Sequence, residues 1–325
     1  MRMGGKRQVS SLRFRVSSLK SKAAFLAMAV AFLAGCATTG PASESRFDGE
    51  MASLEKRCAC RVGLGALHIE SGKSYFYRGD DVFESASVIK IAVLTEAIAR
   101  AQQGEIDLSE RWTLSQDGKA DGSGTLLILD AGLNPTWNDL LTLMIGPSDN
   151  TATNAWIERL GVDRINARMA SLGFHVIHIY GTIPALSRRS EKPSPWSGFR
   201  LGDVSPREVA RWMALVAKGE LLDGSASARI FEYLDKDPSR LRAARRFGSE
   251  NLWAGKTGSM SGVRNDAGIL RTKKGRFVLA VLTDRSKVEA VSSADHPSVL
   301  AIADAARTVV EAWSRELPDL PEKPR

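Results

Sequence analysis

The chain has 325 residues, with 45 lysines and arginines against 37 aspartates and glutamates, which gives a formal net charge of +8 at pH 7. Seven of the positive charges precede Cys36, so the rest of the chain is nearly neutral and gives no support to nucleic-acid binding. About 290 residues remain from Cys36 onward, enough for one large domain or for two lobes that share a core.

The first 36 residues predict an export signal. A basic stretch without acidic residues precedes an apolar run from Ala23 to Ala34, which is short for a membrane span. The run leads into Leu33-Ala34-Gly35-Cys36, which resembles a bacterial lipobox, in which the cysteine is lipidated and becomes the first mature residue. A plain signal-peptidase site is the alternative. We expect a lipoprotein signal peptide over 1–36 and a polar tether over 37–45.

Ala37 bears on where such a lipoprotein would reside. An aspartate directly after the lipidated cysteine typically retains lipoproteins in the inner membrane, and this chain has alanine there. If the cell has two membranes, we therefore expect an outer-membrane anchor that faces the periplasm. We also expect an exported monomer that meets the membrane only through this N-terminal lipid anchor.

The other cysteines and the histidines indicate no metal or cofactor. An export compartment permits a bond between Cys58 and Cys60, but the ring would be very small, and unpaired cysteines are an equal alternative. The four histidines lack the spacing of a metal site, so we expect no metal and no cofactor.

The first predicted elements are a helix, a hairpin and a second helix. Residues 44–57 carry apolar side chains at helical spacing, and residues 62–69 and 74–78 form two strands around a short turn. Residues 88–103 form another apolar helical face, which ends at Gly104.

Residues 105–250 predict mainly helices, and the chain then returns to strands. Ser205 is expected to cap one helix, with Pro206 at its first position and Glu208 completing a capping box. The clearest helices here are 138–145, 151–160, 162–172 and 206–218; they are followed by strands 253–257, 267–271 and 276–283 and by a closing helix, 298–313.

Strands at both ends and helices in the middle predict an α/β sandwich. We expect one domain over 46–325, in which an antiparallel sheet is flanked by terminal helices. An α/β lobe of about 46–85 and 250–325 would enclose an all-helical lobe of about 86–249. A functional site is expected at the seam between them.

Three short strings carry the chemistry: Ser87-Val88-Ile89-Lys90, Ser148-Asp149-Asn150 and Lys256-Thr257-Gly258. In this order they resemble the S-x-x-K, S-D-N and K-T-G motifs of penicillin-recognising active-site serine hydrolases, most closely the class A β-lactamases. The resemblance extends from about Met51 to Trp313 and implies a β-lactamase/transpeptidase-like fold. Each string is weak alone, since S-x-x-K also occurs at residues 17–20 and 53–56.

The first string suits nucleophilic catalysis. Ser87 lies where a helix begins, so exposed amides and the helix dipole favour negative charge beside it, and its own N–H is a candidate oxyanion donor. Lys90 lies on the same helical face and would take the proton of Ser87 if another cation, such as Lys256, lowered its pKa.

The other two strings would relay protons and bind substrate. Ser148 would pass a proton to the leaving nitrogen, Asn150 would bind an acylamido group, and Asp149 would hold its loop through backbone hydrogen bonds. We expect Lys256 and Thr257 to bind a substrate carboxylate, on a strand where Gly258 allows close approach. Two further candidates are the N–H of Ser259, as the second oxyanion donor, and Arg264, as a carboxylate contact or a surface ion pair.

The resemblance fails on one loop. Class A β-lactamases carry E-x-x-x-N after the second motif, and this pair holds the water that cleaves the acyl-enzyme. Ile183 falls where the glutamate is expected and Ser187 where the asparagine is. Glu191 or Asp203 could substitute as base, although solvent-facing charges are the simpler interpretation of both.

The sequence thus predicts a serine hydrolase of the class A β-lactamase family, acylated at Ser87 by a β-lactam or related amide that it then hydrolyses. Two alternatives stay open. One is a D-Ala-D-Ala-type peptidase acting on peptidoglycan stems, and the other is a penicillin-binding sensor or scaffold that stays acylated.

Overall fold

A computed structural model describes residues 45–192, 197–237, 239–288 and 293–321. The predicted signal peptide and nearly all of the tether lie outside these residues, and the first helix begins at Ser45, the last residue assigned to the tether. The helices are α1 (Ser45–Cys58), α2 (Lys90–Gln102), α3 (Trp137–Ile145), α4 (Asn150–Leu160), α5 (Val162–Ser171), α6 (Pro206–Lys218), α7 (Gly224–Leu234) and α8 (Pro297–Glu316). The strands are β1 (Arg61–His68), β2 (Ser74–Tyr77), β3 (Phe83–Glu84), β4 (His178–Ile179), β5 (Gly202–Val204), β6 (Leu252–Met260), β7 (Val263–Thr272) and β8 (Gly275–Asp284).

The predicted antiparallel sheet is confirmed. Its order is β2-β1-β8-β7-β6, so strands from both ends of the chain meet at the β1–β8 pair, and β6 is an edge strand. Strand β8 is buried over nearly its whole length because helices cover both faces of the sheet. A small second sheet, β3-β5-β4, was not predicted from the sequence.

The two faces of the sheet contribute to two hydrophobic cores. Helices α1 and α8 cover one face, where Met51, Phe277 and Trp313 are buried together. Helix α6 packs against β1, β7 and β8 on the other face and joins the core of the helical region. A side chain at Gly65 would lie 2.4 Å from the carbonyl oxygen of Pro206, so this close approach requires glycine.

Helix α6 modifies two sequence-based expectations. It lies on the sheet although it falls within the predicted all-helical lobe, and the division into two lobes stays a prediction. Ser205 caps it by accepting from the Glu208 N–H at 3.3 Å. The predicted capping box is wrong, however, because the Glu208 carboxylate instead accepts three backbone N–H groups of residues 175–177.

The other predicted helices and strands are confirmed to within a few residues, and α7 adds a helix that was not singled out. Cys58 and Cys60 are joined by a disulfide, with their Cα atoms 5.2 Å apart, so the unpaired alternative is not the one observed. Ala59 between them has φ of 48°, a left-handed conformation unusual for alanine. None of the described helices combines the length and hydropathy needed to span a membrane.

Candidate active site

Ser87 lies in a single 3₁₀ turn, Ala86–Ile89, directly before α2. The turn is strained at its first residue, since Ala86 has φ of 43°. Asn265 of β7 holds the preceding segment, because its side-chain amide donates to the carbonyls of Glu84 (2.8 Å) and Ser85 (3.0 Å). The position of Ser87 is therefore fixed by a contact with the sheet. Its side chain is half-buried and stays accessible.

Lys90 connects the first motif to the second. Its Nζ donates to the Ser148 carbonyl (2.7 Å), the Ser148 Oγ (3.2 Å) and the Asn150 Oδ1 (3.0 Å). The amine is fully buried. Burial lowers its pKa well below the usual range, and the charge of Lys256 lowers it further, whereas Asp149 acts in the opposite direction. This environment favours a neutral amine, which has two protons. It can therefore donate to two of these three acceptors and keeps a lone pair that can accept a proton.

The second motif forms a tight, strained loop. Ser148 has φ of 59°, and Asp149 caps α4 by accepting from the Ala152 N–H at 2.9 Å. The other oxygen of Asp149 accepts from the Leu126 N–H at 2.7 Å. The predicted structural role of Asp149 is therefore confirmed. Asn150 donates from Nδ2 to the Asp121 carbonyl at 2.7 Å, and its Oδ1 faces Lys90.

The third motif brings edge strand β6 against the 3₁₀ turn that carries Ser87. A Cβ added at Gly258 would lie 3.0 Å from the Ser85 oxygen and 3.1 Å from the Ser87 nitrogen. The Thr257 N–H points away from β7, toward Asp237 at 3.3 Å. Because N–H directions alternate along a strand, the Ser259 N–H points to the same open edge. The Ser87 and Ser259 amides therefore lie on two segments that are in contact, the 3₁₀ turn and β6.

Lys256 is the second buried amine of the site. Its Nζ donates to the Thr257 carbonyl at 3.1 Å and lies 3.9 Å from Asp237 Oδ2. Burial lowers the pKa of Lys256 to about 8, against the raising effect of Asp237. It is therefore a cation at neutral pH and depresses the basicity of Lys90.

The guanidinium that contacts β6 belongs to Arg242, which lies before this strand and was not predicted from the sequence. Arg242 donates to the Gly258 carbonyl at 2.6 Å and to the Ser259 hydroxyl at 2.5 Å. Arg264, the sequence-based candidate, is only 8% exposed and donates to two carbonyls of its own hairpin, Met260 and Val263. The residues before β6 offered no motif that could have singled out Arg242.

The loop with Ile183 lies against helix α4, which begins at Asn150 of the second motif. Asn154, one helical turn after Asn150, exchanges two hydrogen bonds with the Ile183 backbone, at 2.8 and 2.9 Å. Ile183 is buried, which places an aliphatic side chain at the position where the resemblance expects a carboxylate.

The two candidate substitute bases are engaged elsewhere. Glu191 is exposed and pairs with Arg188 at 2.9 Å. Asp203 accepts from the Tyr180 hydroxyl at 2.6 Å and pairs with Arg200. In the part of the chain that the structure describes, neither carboxylate hydrogen-bonds to the three motifs. The same residues contain no cluster of three histidine, cysteine or acidic side chains that could hold a metal ion.

A serine on a strained turn, two buried amines and an edge strand that meet at one site are the arrangement expected of active-site serine acyltransferases and hydrolases. Comparison with known proteins identifies the family. The family model for the β-lactamase enzyme family matches residues 46–313. A β-lactamase of Streptomyces fradiae is 32% identical, covering 88% of this chain and 92% of the relative, and one of Bacillus licheniformis is 29% identical.

Solved structures agree with these relatives. A β-lactamase from Sphaerobacter thermophilus superposes with a TM-score of 0.71 at 29% identity, covering 86% of this chain and 99% of that one. A mutant of PBP-A, solved as its acyl-enzyme with penicillin G, superposes with a TM-score of 0.72 at 26% identity, covering 83% and 97%. The chain belongs to the β-lactamase enzyme family and is a serine hydrolase of the class A type.

Proposed function

We propose that Ser87 is the nucleophile, that a β-lactam or a related amide acylates it, and that water then releases the acyl group. The observation that carries this proposal is the contact of buried Lys90 with Ser148 and Asn150, at 3.2 and 3.0 Å, one turn after Ser87. It joins the first two motifs into one proton-transfer unit.

In the acylation step, neutral Lys90 takes the proton of the Ser87 hydroxyl while Oγ attacks the carbonyl carbon. The oxyanion that forms accepts from the amides of Ser87 and Ser259. Collapse breaks the C–N bond, and Ser148 passes a proton from Lys90 to the leaving nitrogen. Lys90 ends this step neutral, and the acyl group is esterified to Ser87.

Substrate binding uses the same elements. The Asn150 side-chain amide binds an acylamido group, while Lys256 and Thr257, with Gly258 at the point of close approach, bind a carboxylate. Arg242 adds a positive charge on this strand, through its contacts with Gly258 and Ser259. In the proposal Arg242 takes the part that the sequence analysis gave to Arg264.

Deacylation needs a general base that takes a proton from the attacking water, and the aliphatic side chain of Ile183 cannot accept one. Glu191 and Asp203 remain the proposed general bases. Either carboxylate would first have to break its ion pair with an arginine. General-base help is worth roughly a hundred- to ten-thousandfold in rate, so we expect deacylation to limit turnover. The peptidase and sensor alternatives are not favoured, because the relatives and the family model are β-lactamases by name.

Intact-mass measurement tests the proposal. Protein from residue 37 onward is mixed with penicillin G, and the covalent adduct and hydrolysed drug are followed over time. We expect an adduct on Ser87 that decays as product accumulates, and no adduct with Ser87→Ala. An adduct or turnover that survives this substitution would refute the assignment.

We propose in addition that Cys36 is lipidated and that the enzyme is a monomer anchored in the outer membrane, facing the periplasm. The leader composition and the lipobox-like Leu33–Cys36 string support this proposal.

A further inference from the structure

Asp237 puts a carboxylate where the proposed mechanism needs to bind one. Its Oδ2 lies 3.9 Å from Lys256 Nζ, 3.3 Å from the Thr257 nitrogen and 3.4 Å from the Thr257 hydroxyl. These are two of the residues proposed to hold the carboxylate of the substrate. Asp237 is 5% exposed, so water screens its charge little.

The backbone fixes the direction of this carboxylate. Asp237 is the third residue after the end of α7, and its Oδ1 accepts from the Ser239 N–H at 2.9 Å. This bond leaves Oδ2 directed at β6. Asp237 belongs to the connection between α7 and β6, outside the three motifs.

Two consequences follow for a substrate that carries a carboxylate. The Thr257 hydroxyl has one proton, so it cannot donate to Asp237 and to a substrate oxygen at once. A second carboxylate beside Lys256 would also meet the negative charge of Asp237 at short range, and two like charges that share a site disfavour each other. Neither cost applies to a substrate that is neutral at this position.

We infer that Asp237 is a specificity-determining residue that disfavours carboxylate-bearing substrates relative to otherwise identical neutral ones. The inference rests on the proposed function, because it concerns which amides acylate Ser87. The selectivity would come from a residue outside the three motifs, because Asp237 competes with the substrate carboxylate for the donors of Lys256 and Thr257.

The test compares penicillin G with its methyl ester, which differ only in the charge at this position. Second-order acylation rate constants are measured by intact mass for the wild type, Asp237→Asn and Asp235→Asn. Asp235 is a matched control because it is an exposed carboxylate two residues away. The pH is held at about 6, below the pKa of about 8 of Lys256, so that this amine stays charged.

We expect Asp237→Asn to raise the ratio of the acid rate to the ester rate at least about tenfold, and Asp235→Asn to leave it unchanged. The ratio cancels any change in Lys90 or in Ser87 that affects both compounds. Asp237→Ser keeps an acceptor for Ser239 and removes the charge, and it should shift the ratio in the same direction.

An unchanged or lowered ratio in both Asp237 variants would overturn the inference while leaving the proposed function intact. Wild-type protein that reacts with neither compound would overturn the proposed function, and the inference with it. Thermal unfolding of each variant confirms that the compared proteins are folded.

Discussion

Lys90 and Lys256 are both fully buried, and the charge of Lys256 lowers the pKa of Lys90. Two ammonium groups in one buried site repel, and burial penalises both, so the proton is retained where a counter-ion lies nearest. Asp237 lies 3.9 Å from Lys256, whereas the groups that accept from Lys90 are a carbonyl, a hydroxyl and an amide oxygen. This asymmetry favours a charged Lys256 and a neutral Lys90, as the proposed role of Lys90 as the base requires.

Ile183 provides the sharpest test at the scale of a single residue. Asn154 holds the Ile183 backbone against α4, so Ile183→Glu would place a carboxylate on a segment already fixed beside the site. We expect the lifetime of the penicillin G adduct to fall at least about tenfold, because a general base then activates water. Adduct decay is followed by intact mass.

Ile183→Leu is the matched control, since it keeps an aliphatic side chain of the same size and should leave the adduct lifetime unchanged. An adduct that decays no faster in Ile183→Glu than in this control would show that the side chain at 183 does not reach the water that cleaves the acyl-enzyme.

At the scale of elements, the contact between β6 and the 3₁₀ turn positions the two amides of the proposed oxyanion site. Gly258→Ala would bring a methyl group to 3.0–3.2 Å from Ser85, Ala86 and Ser87, mostly against backbone atoms that cannot rotate away. We expect penicillin acylation to slow by at least about tenfold, because displaced amides stabilise the oxyanion less well. The acylation rate constant is the readout.

Gly49→Ala serves as the control for that substitution. Gly49 lies in α1 with no atom within 4 Å of an added Cβ, so alanine there should leave acylation unchanged and stabilise the helix by about 0.5–1 kcal/mol. If Gly258→Ala acylates as fast as Gly49→Ala, the close approach of β6 has no part in catalysis.

At the scale of the whole molecule, the β1–β8 pair closes the fold. Residues 61–68 and 277–284 are far apart in sequence and pair over eight registered positions, so the sheet assembles only when both ends of the chain are present. The site depends on this closure, since Asn265 and Gly258 reach the Ser87 turn from the C-terminal strands.

The predicted leader would act on the molecule as a whole, and Cys36 is the residue that tests it. We expect the full chain to fractionate with bacterial membranes and Cys36→Ser to move it to the soluble fraction, with penicillin acylation unchanged, because the catalytic unit lies after residue 45. Immunoblots of the fractions give the readout. Equal membrane association of both proteins would contradict lipid anchoring at Cys36.

The sequence by itself determined the class of fold, the order of the elements and the three motifs. Hydrophobic periodicity and the caps are local, so α1, α6, α8 and the hairpins could be predicted from neighbouring residues. The motifs have fixed spacing within each string, so Ser87, Lys90, Ser148 and Lys256 could be singled out without coordinates.

Only the tertiary structure decided which distant side chains complete the site. Arg242 and Asp237 lie on the chain between α7 and β6, where no pattern marks them, and they matter because the fold turns them toward Lys256 and Ser259. Glu208 shows the same limit, since its carboxylate had a local partner in Ser205 but binds residues 175–177 instead. The physical reason is that side-chain charge and hydrogen bonding act through space, and sequence spacing records only the neighbours along the chain.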